Sequence, residues 1–416
     1  MSQKQVNFYY SKRSIFHFFS ILCLCLFIID FPLLVIAQQL EGQPLEPNRQ
    51  LDVMDLYQKK HLSNNEKQKP VKEHHNHFSI IGAPGYSLQT GFAGVIGFNW
   101  EVDGFKDGIT RPSLFNTNIT YSQYQQVMLP LQTSIWTKNN KYNILGDYRY
   151  LAYPSSIFGL GGRTDPNKGL TINFNSIKFH QSILRRITPN FYAGLGFYFD
   201  YFWNIKAIDP HSKQVDQQFQ KELGNKEFSI GPAFRALYDT RDNPINSHSG
   251  FYLNFVYHPS PHILGSDSSY QSVLVDIRNY VPFPEGSKNT LAFWMMDWLS
   301  QSGRPPYLLL SSTGWDETYN TGRGYIQGRF RGKNMVYFES EYRFGITNNG
   351  LLGGVLFANM QSFSSDISYQ YSNVFPGYGL GLRVKINKFS KTNICIDYGF
   401  GNNNSQGFFI NLGEVF

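Results

Sequence analysis

The sequence predicts an all-β protein: a transmembrane antiparallel β-barrel of about sixteen strands with a long sixth outer loop. Three observations carry that expectation. From Phe78 to Phe416, apolar and polar residues alternate with period two in segment after segment, separated by Gly, Asn, Asp and Pro clusters. Many segments extend past ten residues, the length of a tilted strand crossing a bilayer rather than the five or six of a soluble sheet. Aromatic residues make up 17% of the chain and charged residues 16%, yet only the N-terminal apolar run is long enough for a helical span.

The alternation assigns two faces. In "GYGLGLRVKI", Tyr378, Leu380, Leu382, Val384 and Ile386 oppose Gly379, Gly381, Arg383 and Lys385. In "NICIDYGF", Ile394, Ile396, Tyr398 and Phe400 oppose Cys395 and Asp397. In lipid every backbone N–H and C=O must be paired within the protein, so a sheet crosses only by closing on itself. The apolar face is therefore expected toward lipid, and the glycine-rich, polar face toward the lumen.

Taken in order, residues 1–37 read as an export signal. Lys4, Lys12 and Arg13 precede an apolar run from Ile15 to Ile36, and Val35-Ile36-Ala37 offers a cleavage point. A retained anchor is the alternative, because the run could span. Cys23 and Cys25 lie in it, so a processed chain keeps Cys395 alone and forms no internal disulfide. The net charge of +7 falls to +5 when three cations and Asp30 leave, too small and scattered an excess to argue for nucleic acid.

Residues 38–77 form a polar linker. Within it "LDVMDLYQKKHL" spaces Leu51, Met54 and Leu62 for one short amphipathic helix. The cluster Glu73, His74, His75 and His77 has no second ligand set at a metal-site spacing and reads as solvated chain, so no metal or other cofactor is expected.

The barrel is assigned to residues 78–416, with strands beginning near 78, 90, 113, 127, 141, 169, 188, 225, 249, 268, 288, 333, 352, 376, 392 and 407. Long connections at 152–168, 207–224 and 303–332 fall on one side, and short turns such as 347–350 and 388–391 on the other, as in outer-membrane barrels. The segment 103–112 is longer than an inner turn should be, and the sequence gives no reason for it. The last segment places Phe408, Ile410, Leu412 and Phe416 on one face. Its terminal Phe416 resembles the C-terminal signature by which such barrels reach their assembly machinery.

Between the eleventh and twelfth strands lies "GRGYIQGRFRGKNMVYFESEYRFG". Gly322, Arg323, Gly324 and Tyr325 resemble the Arg-Gly-aromatic motif of the BamA/TamA superfamily, also called the bacterial surface antigen family. "GYSLQTG", "FGLGG" and "YDTRDNP" resemble further segments of its sixteen-stranded barrels. The resemblance implies a sixth loop folded into the lumen, with its arginine meeting acidic groups on the following strands. Glu339 and Glu341 stand on that face, and the arginine is expected to depend on one of them, Glu339 foremost. Two departures matter. Asn359 occupies the position of an expected aspartate, and the residues before the barrel are too few for the family's periplasmic POTRA domains.

The resemblance further implies the outer membrane of a Gram-negative bacterium, contact with its lipid, and partners drawn from the barrel assembly machinery, periplasmic proteins or client outer-membrane proteins. Protein insertion or translocation is the first functional reading. A passive pore or structural barrel with a loop plug is the second. An enzyme is not expected: His180 and Ser182 have the spacing found in outer-membrane phospholipases, but the Asn-Gly that follows in those enzymes is missing.

Overall fold

The computed structural model describes residues 50–53, 55–56, 76–105, 107–208, 223–364 and 371–416. The expected export signal and most of the expected linker, including Glu73, His74 and His75, lie outside the described residues. Of the expected helix, Val53, Asp55 and Leu56 are described as helical. Its start is fixed reciprocally: Asp55 N–H donates to Asp52 Oδ1 (2.9 Å) and Asp52 N–H to Asp55 Oδ2 (3.0 Å), a capping box built from two aspartates.

The first strands are β1 (Asn76–Ser87), β2 (Gly91–Val102), β3 (Ser113–Ser122), β4 (Val127–Trp136), β5 (Tyr142–Ile157) and β6 (Leu170–Thr188). They are followed by β7 (Phe191–Ala207), β8 (Lys226–Asp239), β9 (Gly250–Ser260), β10 (Tyr270–Pro282) and β11 (Thr290–Gly303). After the short pair β12 (Ser311–Ser312) and β13 (Arg331–Gly332) come β14 (Met335–Gly345), β15 (Leu352–Ser364), β16 (Tyr371–Asn387), β17 (Thr392–Gly401) and β18 (Gln406–Leu412). Sixteen of these close into one antiparallel barrel in which β11 pairs with β14 and β1 meets β18; β12 and β13 form a separate ribbon. Strand starts agree with the sequence within three residues, except that β16 begins at Tyr371 rather than 376.

The facing follows the alternation. Tyr378 (60% exposed) and Leu380 (58%) point outward, whereas Arg383 and Asp397 are buried inside. The lumen is not simply polar, however. Tall strands β5, β6 and β7 present Leu151, Tyr153, Ile172, Phe174 and Phe202 inward, where they enclose Tyr307, Leu308 and Leu310 of the β11–β14 connection. Those residues fill the lumen with an apolar core, which alternation cannot distinguish from a lipid-facing row.

The C-terminal residues also depart from expectation. Gly413 has a positive φ of 90°, and the chain leaves the strand there and turns inward. Phe416 is 5% exposed, packed on Trp294 with ring centroids 5.2 Å apart, and its carbonyl accepts from Arg343 Nη2 at 2.9 Å. Its lipid-facing assignment is therefore wrong, while Phe408 does face outward.

The long inner segment 103–112 acquires a reason. Asp107 Oδ1 accepts from Ile109 N–H and Thr110 N–H, and Arg111 N–H donates to Asn140 Oδ1 at 2.7 Å. The Arg111 guanidinium reaches Asn190 Oδ1 and the Asp239 carbonyl, both at 3.1 Å, tying neighbouring inner turns together.

Candidate functional site

Residues 304–334, between β11 and β14, fold back into the lumen; from 305 to 334 only Thr318 is exposed. The fold of this segment is local at its tip. Asp316 accepts from the backbone N–H of Thr318, Asn320 and Thr321, so one carboxylate closes the turn that precedes Gly322. From that tip, the Glu317 carbonyl accepts from Arg149 Nη2 (2.7 Å) and Gln132 Nε2 (3.2 Å) on β5 and β4. The segment thus reaches from one wall to the other.

Arg323 follows, 1% exposed. Its Nη2 donates to Glu339 Oε1 and Glu341 Oε1 on β14, and its Nη1 to Asp397 Oδ2 on β17 at 2.5 Å. The Phe357 ring lies 3.7 Å from the guanidinium carbon, a cation–π contact. A buried guanidinium is tolerated only with carboxylates in good geometry. The structure supplies three rather than the single dominant glutamate expected.

Three carboxylates around one cation would repel one another, and two further arginines separate them. Arg343 Nε donates to Glu341 Oε2 at 2.6 Å. Arg383 donates to Asp397 Oδ1 and, through Nε, to Glu414 Oε2 at 2.8 Å. Tyr337 donates its hydroxyl to Glu339. The result is an alternating chain of charge running from the loop, across β14, β16 and β17, to the residue after Gly413.

Asn359 takes a different part from the one expected of an aspartate at this position. Its Nδ2 donates to the Arg323 carbonyl at 3.0 Å and so holds the loop backbone, not its charge. Tyr325 is buried, donates to the Pro376 carbonyl (2.6 Å) and accepts from Asn402 N–H (2.9 Å). Close approach needs missing side chains on both partners. A Cβ at Gly324, whose φ is 107°, would sit 2.6 Å from the Phe400 carbonyl oxygen, and one at Gly399 would sit 2.7 Å from Gly324 N. The glycines of β16 and β17 are thus a groove for the Arg-Gly-Tyr segment.

Asp397, Arg383 and Glu414 belong to this site although sequence reasoning did not place them there. For Asp397 and Arg383 the signal was a charged residue on the lumen face of strands rich in glycine and apolar residues; Glu414 gave none, since it lies beyond β18 and parity puts it on the face of Phe408. His180 is elsewhere on the lumen wall: Nε2 lies 2.8 Å from Asp200 Oδ2 and its ring stacks on Tyr198. Among the described residues no group of three His, Cys, Asp or Glu could hold a metal ion.

This site can lock a long connection inside a barrel; each of its charged side chains is buried and ion-paired. The same architecture recurs in solved structures. BamA from Haemophilus ducreyi lacking POTRA domains 1–3 superposes with a TM-score of 0.50 at 16% identity, over 81% of this chain and 69% of that one. CdiB from Acinetobacter baumannii gives 0.54 at 12% identity, over 82% and 60%. CdiB from Escherichia coli gives 0.54 at 10%, over 82% and 63%, so this chain spans less than two thirds of either CdiB chain. At these identities the likeness is one of fold. No curated protein matches by sequence. The Omp85 superfamily domain model matches residues 111–416. The chain therefore belongs to the Omp85 superfamily and is a β-barrel of the Gram-negative outer membrane.

Proposed function

We propose that this barrel inserts or translocates polypeptide at the outer membrane, together with separate partners, through its β1–β18 seam. The observation that supports this reading is how little joins those strands. β1 and β18 are in register through one pair, Tyr86 with Ile410, whereas β1 and β2 pair along twelve positions. Unpaired backbone groups in lipid cost several kcal/mol each. The two edges are therefore templates for an added strand, which would supply the missing hydrogen bonds.

A cavity of about 390 Å³ lies beside the seam, bordered by Gly85, Tyr86, Phe409 and Ile410 and by Tyr319 and Asn320 of the folded connection. The connection is fixed to β14 and β17 and also meets β18, where Asn411 Nδ2 donates to Asn320 Oδ1 at 2.9 Å, so it can stay with β18 while the edge of β1 parts from it. The buried connection also favours a second reading, a plugged pore or structural barrel.

Photo-crosslinkers at Tyr86 and Ile410 in intact outer membranes separate the two. Insertion or translocation predicts recovery of nascent barrels, client chains or periplasmic chaperones. Recovery of none, with steady ion conductance from the purified protein, supports the pore.

A further inference from the structure

The turn 388–391 between β16 and β17, "KFSK", carries two lysines that hold two different segments. Lys388 Nζ donates to both carboxylate oxygens of Asp55 at 2.9 Å, and Lys388 N–H donates to Asp52 Oδ2 at 3.1 Å. The same N-terminal segment rests on the neighbouring turn, where Leu51 N–H donates to the Asn349 carbonyl at 2.9 Å. Lys391 Nζ donates to Asp242 Oδ2 at 3.2 Å, and its carbonyl accepts from Asn246 Nδ2 at 3.4 Å.

The second contact crosses the barrel mouth. Asp242 and Asn246 belong to residues 240–249, which join β8 to β9, and β15, β14, β11 and β10 stand between β16 and β9 in the ring. Following the wall could not bring these residues together. The segment is pre-shaped for the crossing: Asp242 Oδ1 accepts from His248 N–H and Ser249 N–H, and Asn243 Oδ1 from Ile245 N–H and Asn246 N–H. Its root is held by Arg111, through the Asp239 carbonyl. Ile245 borders the cavity beside the seam, along with Thr392, Gly413 and Glu414, so the segment forms part of the cavity floor.

We propose that Lys388 and Lys391 form a two-sided clasp that holds Asp52 and Asp55 against the β16–β17 turn and residues 240–249 across the inner mouth, and that release of Asp242 from Lys391 opens the cavity to the periplasm. The contact suits a reversible device. Both ion pairs remain partly exposed to solvent, so each is weak and screened by salt, unlike the buried pairs around Arg323. The inference goes beyond the seam reading and applies equally to an insertase or a pore.

Single-channel recording on the full-length protein in planar bilayers tests it. Lys391→Asp should shorten closed dwell times by roughly threefold, and Lys391→Arg should keep them; Asp242 is left in place because its other oxygen shapes the segment. Native protein should show the same shortening between 0.1 M and 1 M KCl, while Lys391→Gln should be insensitive to salt. If the reversed variant does not assemble, the native salt series and Lys391→Gln answer the same question. A reversal indistinguishable from native, an arginine variant as open as the reversal, salt-independent dwell times, or silence from every variant would overturn the proposal. None of these outcomes bears on crosslinks recovered at the seam, so the two readings fail separately.

Discussion

Arg323 and Asp397 lie 74 residues apart in sequence and meet inside the barrel, Nη1 to Oδ2, at 2.5 Å with both side chains buried. Their contact joins the folded connection to β17, with β15 and β16 standing between that strand and β14 in the ring. Because Arg383 bridges Asp397 to Glu414, the connection is also linked to the inward-turned C-terminal residues.

Asn359→Asp should destabilise the loop rather than restore a family contact. The native amide donates to the Arg323 carbonyl, and an aspartate would face that oxygen with an acceptor and add a fourth carboxylate. An unsatisfied buried group of this kind costs about 1–3 kcal/mol. Protease access to residues 304–334 should rise in the variant; unchanged protection would mean that Asn359 does not hold the backbone.

Gly324→Ala should undock the Arg-Gly-Tyr segment from β17, because its Cβ would overlap the Phe400 carbonyl at a positive φ. Overpacking costs typically about 1–3 kcal/mol. Trypsin should then cut after Arg329 or Arg331, both buried in the native protein, while heat-modifiable migration shows the barrel intact.

Leu382→Arg places a charge in the lipid-facing row and should cost roughly 2–4 kcal/mol near the bilayer midplane. Its neighbour tests the other face: a Cβ at Gly381 would overlap Asp397 Oδ1, so even Gly381→Ala must displace part of the charge chain. Unfolding in lipid vesicles measures the first, and loop protection the second. A Leu382→Arg barrel as stable as native would contradict the facing assignment.

Phe416→Ala should destabilise by about 3–5 kcal/mol, the usual cost of truncating a buried aromatic, since the ring packs on Trp294 and under Arg343. Phe408→Ala, on the lipid side, should cost much less. Equal effects in urea unfolding of the two variants would return Phe416 to the lipid face.

The barrel is legible because lipid enforces a period of two, and Leu380 beside Gly381 or Ile396 beside Asp397 shows the face directly. What alternation cannot give is pairing across the lumen. Asp397 reads as lumen-facing, but its meeting with Arg323 depends on how far a thirty-residue connection folds back, which no local pattern encodes. The Phe416 error has a narrower cause: parity counted through Gly413 assumes an extended backbone, and a left-handed glycine breaks the count. The apolar lumen around Phe174 and Tyr307 is hidden for a related reason, since a tyrosine or phenylalanine looks alike on either face. The segment 103–112 could not be explained while the turns it joins, at Asn140, Asn190 and Asp239, were known only as separate punctuation.

Arg323 holds the connection inside the lumen through three carboxylates, and a double-mutant cycle of Arg323→Ala with Asp397→Asn tests this most directly. The two single variants and the double variant are read by protease access to residues 304–334 and by urea unfolding in vesicles. Deleting one partner of a buried pair costs about 3–5 kcal/mol, and groups in one network couple by about 0.5–3 kcal/mol. The predicted result is non-additivity of at least about 1 kcal/mol, with a loosened loop and a folded barrel. Additivity within about 0.3–0.5 kcal/mol, with the loop equally protected in every variant, would contradict it.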